Sequence, residues 1–323
     1  MKNLLITGGA GFIGSHFVEL MLKNDSHDFD RFIILDLLTY SGLKSNVKPF
    51  ENNPRVRFIE GDIADRELVR TIIQEEGINS IVNFAAESHV DRSISSSTPF
   101  VHSNVMGVAN LLESFRDHCR GKFVQVSTDE VYGSIESGSW DESVPLAPNS
   151  PYSATKSGGD LLALSFYKTY GIDLNITRCS NNYGPRQFPE KIIPLFITNL
   201  IEGKKLPLYG SGKNVRDWIY VTDHCEAVCL VLTRGLKGEI YNIGGHHEIS
   251  NRALTGRILK EFGVSEDMIQ SVDDRLGHDF RYSVDDSKIR EILGFKNKVQ
   301  FEEGLSMTVD WYKKNSQWWK VLK

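Results

Sequence analysis

The chain has 323 residues, 42 acidic and 37 basic side chains for a net charge of −5, and is 40% hydrophobic and 24% charged. This composition excludes a disordered chain and suits one large globular unit or two modest ones. The acidic balance argues against a nucleic-acid or anionic-membrane surface, and no stretch approaches the ~18 apolar residues of a membrane span.

The opening run Leu4-Leu5-Ile6-Thr7 reads as a buried strand, too short and too soon followed by glycines to be a secretory signal. A helix is expected over Phe12–Lys23, strands over Phe32–Asp36 and Val56–Glu60, and a helix over Arg66–Glu76. Then come a strand over Ser80–Phe84, one helix from about Pro99 to Cys119, and a strand over Lys122–Ser127. Apolar strands alternating with helices predict an α/β, Rossmann-type doubly wound parallel sheet covered on both faces. Ser150 and Pro151 suit the N-cap and first position of a helix that Gly171 stops. The second half is richer in loops and predicts a smaller C-terminal domain, with helices near Ile192–Glu202, Asp223–Arg234, Ser250–Phe262 and Phe301–Lys314. The four cysteines (Cys119, Cys179, Cys225, Cys229) form no C-x-x-C pair, so reduced thiols in a cytoplasm are expected. Cys225 and Cys229 share a helical face, but zinc needs two further ligands that the neighbourhood does not offer, so no metal is expected.

Three motifs carry chemistry. Gly8-x-x-Gly11-x-x-Gly14 follows the first strand and opens the first helix, whose first turn includes Phe12 and Ile13. Glycines there permit a tight turn, close backbone approach to a pyrophosphate and close helix–strand packing, and the helix N-terminus offers free N–H groups. Asp36, ending the second strand, suits the ribose hydroxyls of NAD and repels the 2′-phosphate of NADP. Asp62, with Ile63, follows the third strand and either contacts adenine or serves as a plain cap. Second, Tyr152-x-x-x-Lys156 places a phenol and an ammonium one helical turn apart. The ammonium and a cationic nicotinamide are expected to favour phenolate and so pull the tyrosine pKa down toward neutral pH. Third, Thr128-Asp129-Glu130 lies past the C-terminal end of a strand, where open α/β sheets bind ligands.

These segments, with Ala85–Ile94, Arg178–Pro185, Glu190–Pro194, Val215–Trp218 and Gly277–Asp279, resemble the nucleotide-sugar 4,6-dehydratases of the extended short-chain dehydrogenase family over nearly the whole chain. The resemblance implies NAD as cofactor and a nucleotide-diphosphate hexose as substrate, dTDP-glucose by overall likeness. It implies that Tyr152 takes the C4 hydroxyl proton as hydride passes to NAD, with Lys156 and Thr128 beside it. Glu130 then takes the C5 proton, Asp129 protonates the departing C6 hydroxyl, and hydride returns to C6. It places Ala85, Ser88, Ser127 and Cys179 along the NAD groove. Ser88, Thr128, Asn181, Lys191, Arg216, Asn251, Arg275 and His278 fall to the substrate. The implied division is 1–178 with 216–243 for NAD and 179–215 with 244–323 for the nucleotide sugar, interleaved. A homodimer is implied through the helices after Pro99 and Pro151, which carry Leu111, Leu112, Leu161, Leu164 and Phe166, although core packing accounts for these nearly as well. Leu37, Leu276 and the early end after Trp318-Trp319 depart from the family pattern. A nucleotide-sugar 4-epimerase would need Tyr152 and Lys156 but not the acid pair. A nucleotide-sugar decarboxylase is a more distant reading, and a non-enzymatic NAD-binding regulator should have lost Tyr152 or Lys156.

Overall fold

The computed structural model describes residues 2–24, 27–274 and 279–323. Its strands are β1 Asn3–Thr7, β2 Arg31–Asp36, β3 Val56–Glu60, β4 Ile78–Asn83, β5 Phe123–Thr128, β6 Leu174–Cys179, β7 Asn181–Tyr183, β8 Leu206–Tyr209, β9 Val215–Tyr220, β10 Ile240–Ile243, β11 Glu248–Ser250 and β12 Ile269–Val272. Seven of them form one parallel sheet in the order β10-β6-β5-β4-β1-β2-β3. The order reverses between β1 and β4, so the crevice beyond their C-terminal ends is where such a sheet binds a ligand.

β1 and β5 are buried along their whole length, because helices cover both faces of the sheet. Phe12–Lys23 and Val221–Arg234 pack with Leu4, Ile6, Ile34 and Val124 on one face. Helices Arg66–Glu75, Val108–His118 and Pro151–Tyr170 pack with Leu5, Ile33, Ile81 and Phe123 on the other. A third cluster, built on Tyr183, Phe196, Trp218, Leu254, Phe301 and Trp319, forms a smaller lobe around the sheet β11-β9-β7. The chain passes from one layer to the other at Tyr220–Val221, where β9 of the small sheet runs into the helix that covers the large one.

The long helix Pro151–Tyr170 starts as its sequence dictates. Ser150 Oγ accepts from Ser153 N at 3.1 Å, Ser153 Oγ accepts from Ser150 N at 3.1 Å, Pro151 fills the first turn, and Gly171 ends the helix at φ +63°. The helix expected over Pro99–Cys119 is instead three pieces: α over Thr98–Val101, a π turn over His102–Gly107, and α over Val108–His118. The side chain of Asn104, within the π turn, accepts from Glu87 N at 3.0 Å and donates to Glu87 O at 3.0 Å. Gly107 lies so close to Ile63 that a Cβ would sit 2.5 Å from Ile63 Cγ1. Tertiary anchors of this kind select an inserted residue that helical periodicity does not signal. Leu111 and Leu112 are fully buried core, whereas Leu161 is 57% exposed.

Candidate active site

A cleft of about 300 Å³ opens beyond β1, β4 and β5. At one end Gly8 turns the chain at φ +67°, and a Cβ on it would lie 2.6 Å from Ala85 N. A Cβ on Gly14 would lie 2.3 Å from Gly8 O. Helix Phe12–Lys23 starts at Gly11 with no side-chain cap, and Gly8, Gly11, Phe12, Ile13 and Gly14 all line the cleft. The first turn of a helix leaves its N–H groups without intrahelical partners, so this end suits a pyrophosphate. Asp36 Oδ2 accepts from Ala10 N at 2.9 Å and Oδ1 from Leu38 N at 2.8 Å. Burial pushes its pKa up, and those two N–H groups work against the rise. Among the described residues no lysine or arginine lines this end, where Leu37, Thr39, Tyr40, Ser41 and Gly42 follow Asp36. Asp62 accepts from Ala64 N at 2.8 Å and sits 2.9 Å from His102 Nε2, while Asp65, not Asp62, caps the next helix. Asp62, Ile63, Ala85, Ser88, Ser127 and Cys179 line the same cleft.

The other end holds the titratable groups. Thr128 closes β5, and its Oγ1 accepts from Glu130 N at 3.3 Å and donates to Asp129 Oδ1 at 3.3 Å. The cap turns the two neighbouring acids apart: Asp129 is 3% exposed, and Glu130 is only partly buried. Burial, then the charges of Glu130 and Asp217, raise the Asp129 pKa well above the usual carboxylate range, with Arg216 opposing. Asp129 Oδ2 has no partner among the described residues. A carboxyl driven to keep its proton, with one oxygen on Thr128 and the other unpartnered among the described residues, can act as a proton donor.

Tyr152 packs against Phe100 and Val90, and its backbone N–H donates to Ser93 Oγ at 3.1 Å. Its phenol bonds the Thr128 hydroxyl, and burial followed by the Glu130 charge holds its pKa well above that of a free tyrosine. That is opposite to the direction expected from Lys156. The ammonium is directed elsewhere: Lys156 Nζ donates to Val126 O at 2.8 Å, and its named charge partners are Asp160 and Cys179. Burial itself lowers the lysine. The phenol of the protein alone is therefore firmly protonated, and the pull toward phenolate must come from whatever fills the cleft.

Asn181 and Lys191 also line the cleft. Asn181 Oδ1 is buried with no partner among the described residues, and Lys191 Nζ donates to Ser88 O at 3.1 Å. Arg216 and Asn251 are not part of the lining. Arg216 is buried, donates to Val215 O at 2.7 Å and Asp279 O at 3.0 Å, and lies 4.4 Å above the Tyr282 ring. Asn251 is the buried first residue of helix Asn251–Phe262, with its N–H on Asn214 O at 2.9 Å. Arg275, Leu276 and His278 lie outside the described residues.

Sequence reasoning left several groups unassigned. Tyr40 bonds Glu190, carries the Arg92 guanidinium 3.7 Å above its ring, and meets Phe188 edge-on at 5.3 Å. These residues bring the loop after β2 against the segment after β7, and only Arg92 and Glu190 fall in motifs that the sequence singles out. Behind the cleft, Asp160 and Arg178 form a fully buried ion pair. The signal for Asp160 was its spacing, since Tyr152, Lys156 and Asp160 recur every four residues on one helix.

Fold and site together define a dinucleotide-binding enzyme in whose cleft a tyrosine and a lysine one helical turn apart stand with two adjacent acids. The chain belongs to the GDP-mannose 4,6 dehydratase family, whose model matches residues 5–308. It is 52% identical to a dTDP-glucose 4,6-dehydratase of Streptomyces antibioticus, over 99% of this chain and 95% of that one. Its structure superposes with a TM-score of 0.97 on the dTDP-glucose 4,6-dehydratase of Streptomyces venezuelae crystallised with NAD bound, at 52% identity over 99% of this chain and 100% of that one. The Bacillus anthracis dTDP-glucose 4,6-dehydratase in complex with NAD gives 0.93 at 48% identity, over the full length of both chains.

Proposed function

We propose that this chain is an NAD-dependent lyase that dehydrates dTDP-glucose to the 4-keto-6-deoxy sugar. The observation that carries this reading is the pair Asp129–Glu130, one acid buried and held protonated, the other beside it, in the same cleft as Tyr152 and Lys156. An epimerase needs the tyrosine and lysine but has no use for the two acids.

The cleft fits NAD. Tight glycine contacts at Gly8 and Gly14 support the phosphate turn, and the Asp36 carboxylate without a neighbouring cation suits an unphosphorylated ribose. Gly11, Phe12, Ile13, Asp62, Ile63, Ala85, Ser88, Ser127 and Cys179 complete the groove, and Lys156, which lines the cleft, would supply a cation to the nicotinamide ribose. Bound there, NAD accepts the hydride from C4 and returns it to C6, and its positive charge favours phenolate at Tyr152. Tyr152 takes the C4 hydroxyl proton, with Thr128 orienting the hydroxyl. The new ketone acidifies C5. Glu130 takes the C5 proton, and Asp129 gives its proton to the leaving C6 oxygen. Ser88, Asn181 and Lys191 hold the sugar diphosphate, the unpartnered Asn181 Oδ1 accepting from the substrate. The resemblance assigns Arg216, Asn251, Arg275 and His278 to the same ligand; of these, Arg216 and Asn251 stand outside the cleft lining, Arg216 on Val215 O and Asp279 O.

In this reading residues 1–178 with 216–243 serve NAD and 179–215 with 244–323 the nucleotide sugar, with β9 shared by the small sheet. The working form is a homodimer. Val101, Met106 and Leu161 are 46%, 49% and 57% exposed on the helices after Pro99 and Pro151, and a second copy would cover them. The four free, buried cysteines suit a reducing cytoplasm.

The test is one assay of the purified protein with a panel of nucleotide-glucose donors in heavy water. The expected product is a 4-keto-6-deoxy sugar from dTDP-glucose carrying solvent deuterium at C5. A C4-inverted sugar that keeps its C6 hydroxyl would establish the epimerase instead.

A further inference from the structure

Helix Pro151–Tyr170 stacks three ionisable side chains on one face, Tyr152, Lys156 and Asp160, at successive turns. The first two reach the cleft, and Asp160 does not line it. Asp160 is 0% exposed and Arg178, from β6, is 2% exposed. Arg178 Nε donates to Asp160 Oδ2 at 3.0 Å and NH1 to the Tyr132 hydroxyl at 2.8 Å, and that hydroxyl donates to Asn242 Oδ1 at 2.8 Å. The guanidinium also lies 4.8 Å from the Tyr132 ring centroid. A buried ion pair of this kind is seldom more stable than apolar residues of the same volume, so stability alone does not account for it. Its place, one turn behind the active-site lysine, does.

We propose that Asp160 and Arg178 are positioning residues for the reaction, the buried Arg178–Asp160 pair fixing a carboxylate one helical turn behind Lys156 as the counter-charge to its buried ammonium. This rests on the roles proposed above for Tyr152 and Lys156. The groups facing each member agree with it. Lys156 meets Asp160 from its own helix, the Val126 carbonyl from β5, and Cys179 from β6. Burial lowers its pKa, and Asp160 is the largest opposing influence. Burial pushes the Asp160 pKa up, and the charges of Arg178 and Lys156 work against the rise. Tyr152 meets Thr128, Glu130, Asp129 and Cys179, so the ionisable side chains acting on it are acids, Glu130 foremost. A charged Lys156 is the one nearby protein cation on the same helix that can offset them when substrate and cofactor draw the phenol toward ionisation.

The experiment compares pH profiles of kcat/KM for wild type, Tyr152→Phe, Asp160→Asn and the double variant Asp160→Asn/Arg178→Met. The double variant removes the uncompensated guanidinium that the single change leaves buried, so it reports on a folded enzyme. Both Asp160 variants are expected to move the acid limb of the profile up by about one pH unit or more and to bind NAD more weakly as pH rises and Lys156 loses its proton. Asp160→Glu should restore the wild-type limb in part, which a purely structural role would not produce. A folded double variant whose acid limb and NAD affinity coincide with wild type overturns the proposal. If Tyr152→Phe is inactive in that case, the reading of the site survives; if Tyr152→Phe turns over normally, both fall.

Discussion

Replacing Glu130 by glutamine separates the two halves of the proposed reaction. Glu130 sits beside three groups: its charge raises Asp129, Tyr152 and Tyr282. Glutamine keeps the shape but removes that charge, so the Tyr152 phenol becomes easier to ionise and removal of the C4 hydroxyl proton is not impaired. The C5 proton, however, loses its base. A missing general base typically costs roughly 10²–10⁴ in rate, or about 3–5 kcal/mol of barrier. Among the described residues the neighbouring acid does not replace it, because burial and nearby charges drive Asp129 to keep its proton and its Oδ1 accepts from Thr128. The first step should run while the second stalls, so stopped-flow absorbance should show reduced nicotinamide accumulating on the enzyme. Product formation should fall by at least about a hundredfold, and solvent deuterium should enter C5 correspondingly slowly. Turnover within about tenfold of wild type, or a stall with no reduced cofactor, would refute the assignment of Glu130 as the C5 base.

Other outcomes follow from the same geometry. The Asp129 pKa is higher in the folded protein than in the unfolded chain, so the folded state holds a proton that the unfolded chain releases, and stability falls as pH rises between the two values. Asp129→Asn should abolish turnover yet raise Tm by an amount that grows with pH, and a Tm difference that shrinks with pH would contradict the sign. Gly14→Ala drives a methyl into Gly8 O, where its Cβ would lie at 2.3 Å; calorimetry should show destabilisation of about 1–3 kcal/mol and at least a tenfold loss of NAD affinity (roughly 1.4 kcal/mol), and unchanged affinity would detach that turn from the cofactor. Leu161→Glu places a carboxylate on the exposed face shared with Val101 and Met106; sedimentation should shift from dimer to monomer, and an unchanged dimer would move the interface elsewhere.

Much of this protein is local. The glycine turn, the capped catalytic helix and the strands β1 to β5 are written in consecutive residues, because apolar runs, an N-cap serine and a proline at N1 act over one or two turns of chain. For the same reason Asp36, Thr128, Asp129, Glu130, Tyr152 and Lys156 could be named as one site from motif spacing. β6 was less legible. Its residues Asn175 and Arg178 interrupt the apolar pattern, yet both are buried, because Asn175 bonds Leu236 O at 2.6 Å and Arg178 finds Asp160. Polarity in a core is tolerated only when distant partners satisfy it, and no local reading supplies those partners.

The sequence by itself determined the order of elements and which motif side chains line the cleft, since both depend on short-range spacing. Only the tertiary structure decided their electrical state. Lys156 turns to Val126 O and Asp160, Glu130 rather than Lys156 dominates the charge acting on Tyr152, and Asp129 is driven to hold its proton. The same holds for the π turn at Asn104 and for Arg216, which packs against Tyr282 outside the cleft. Burial and through-space charge depend on which segments meet across the fold, and that is set by packing rather than by neighbours in the chain.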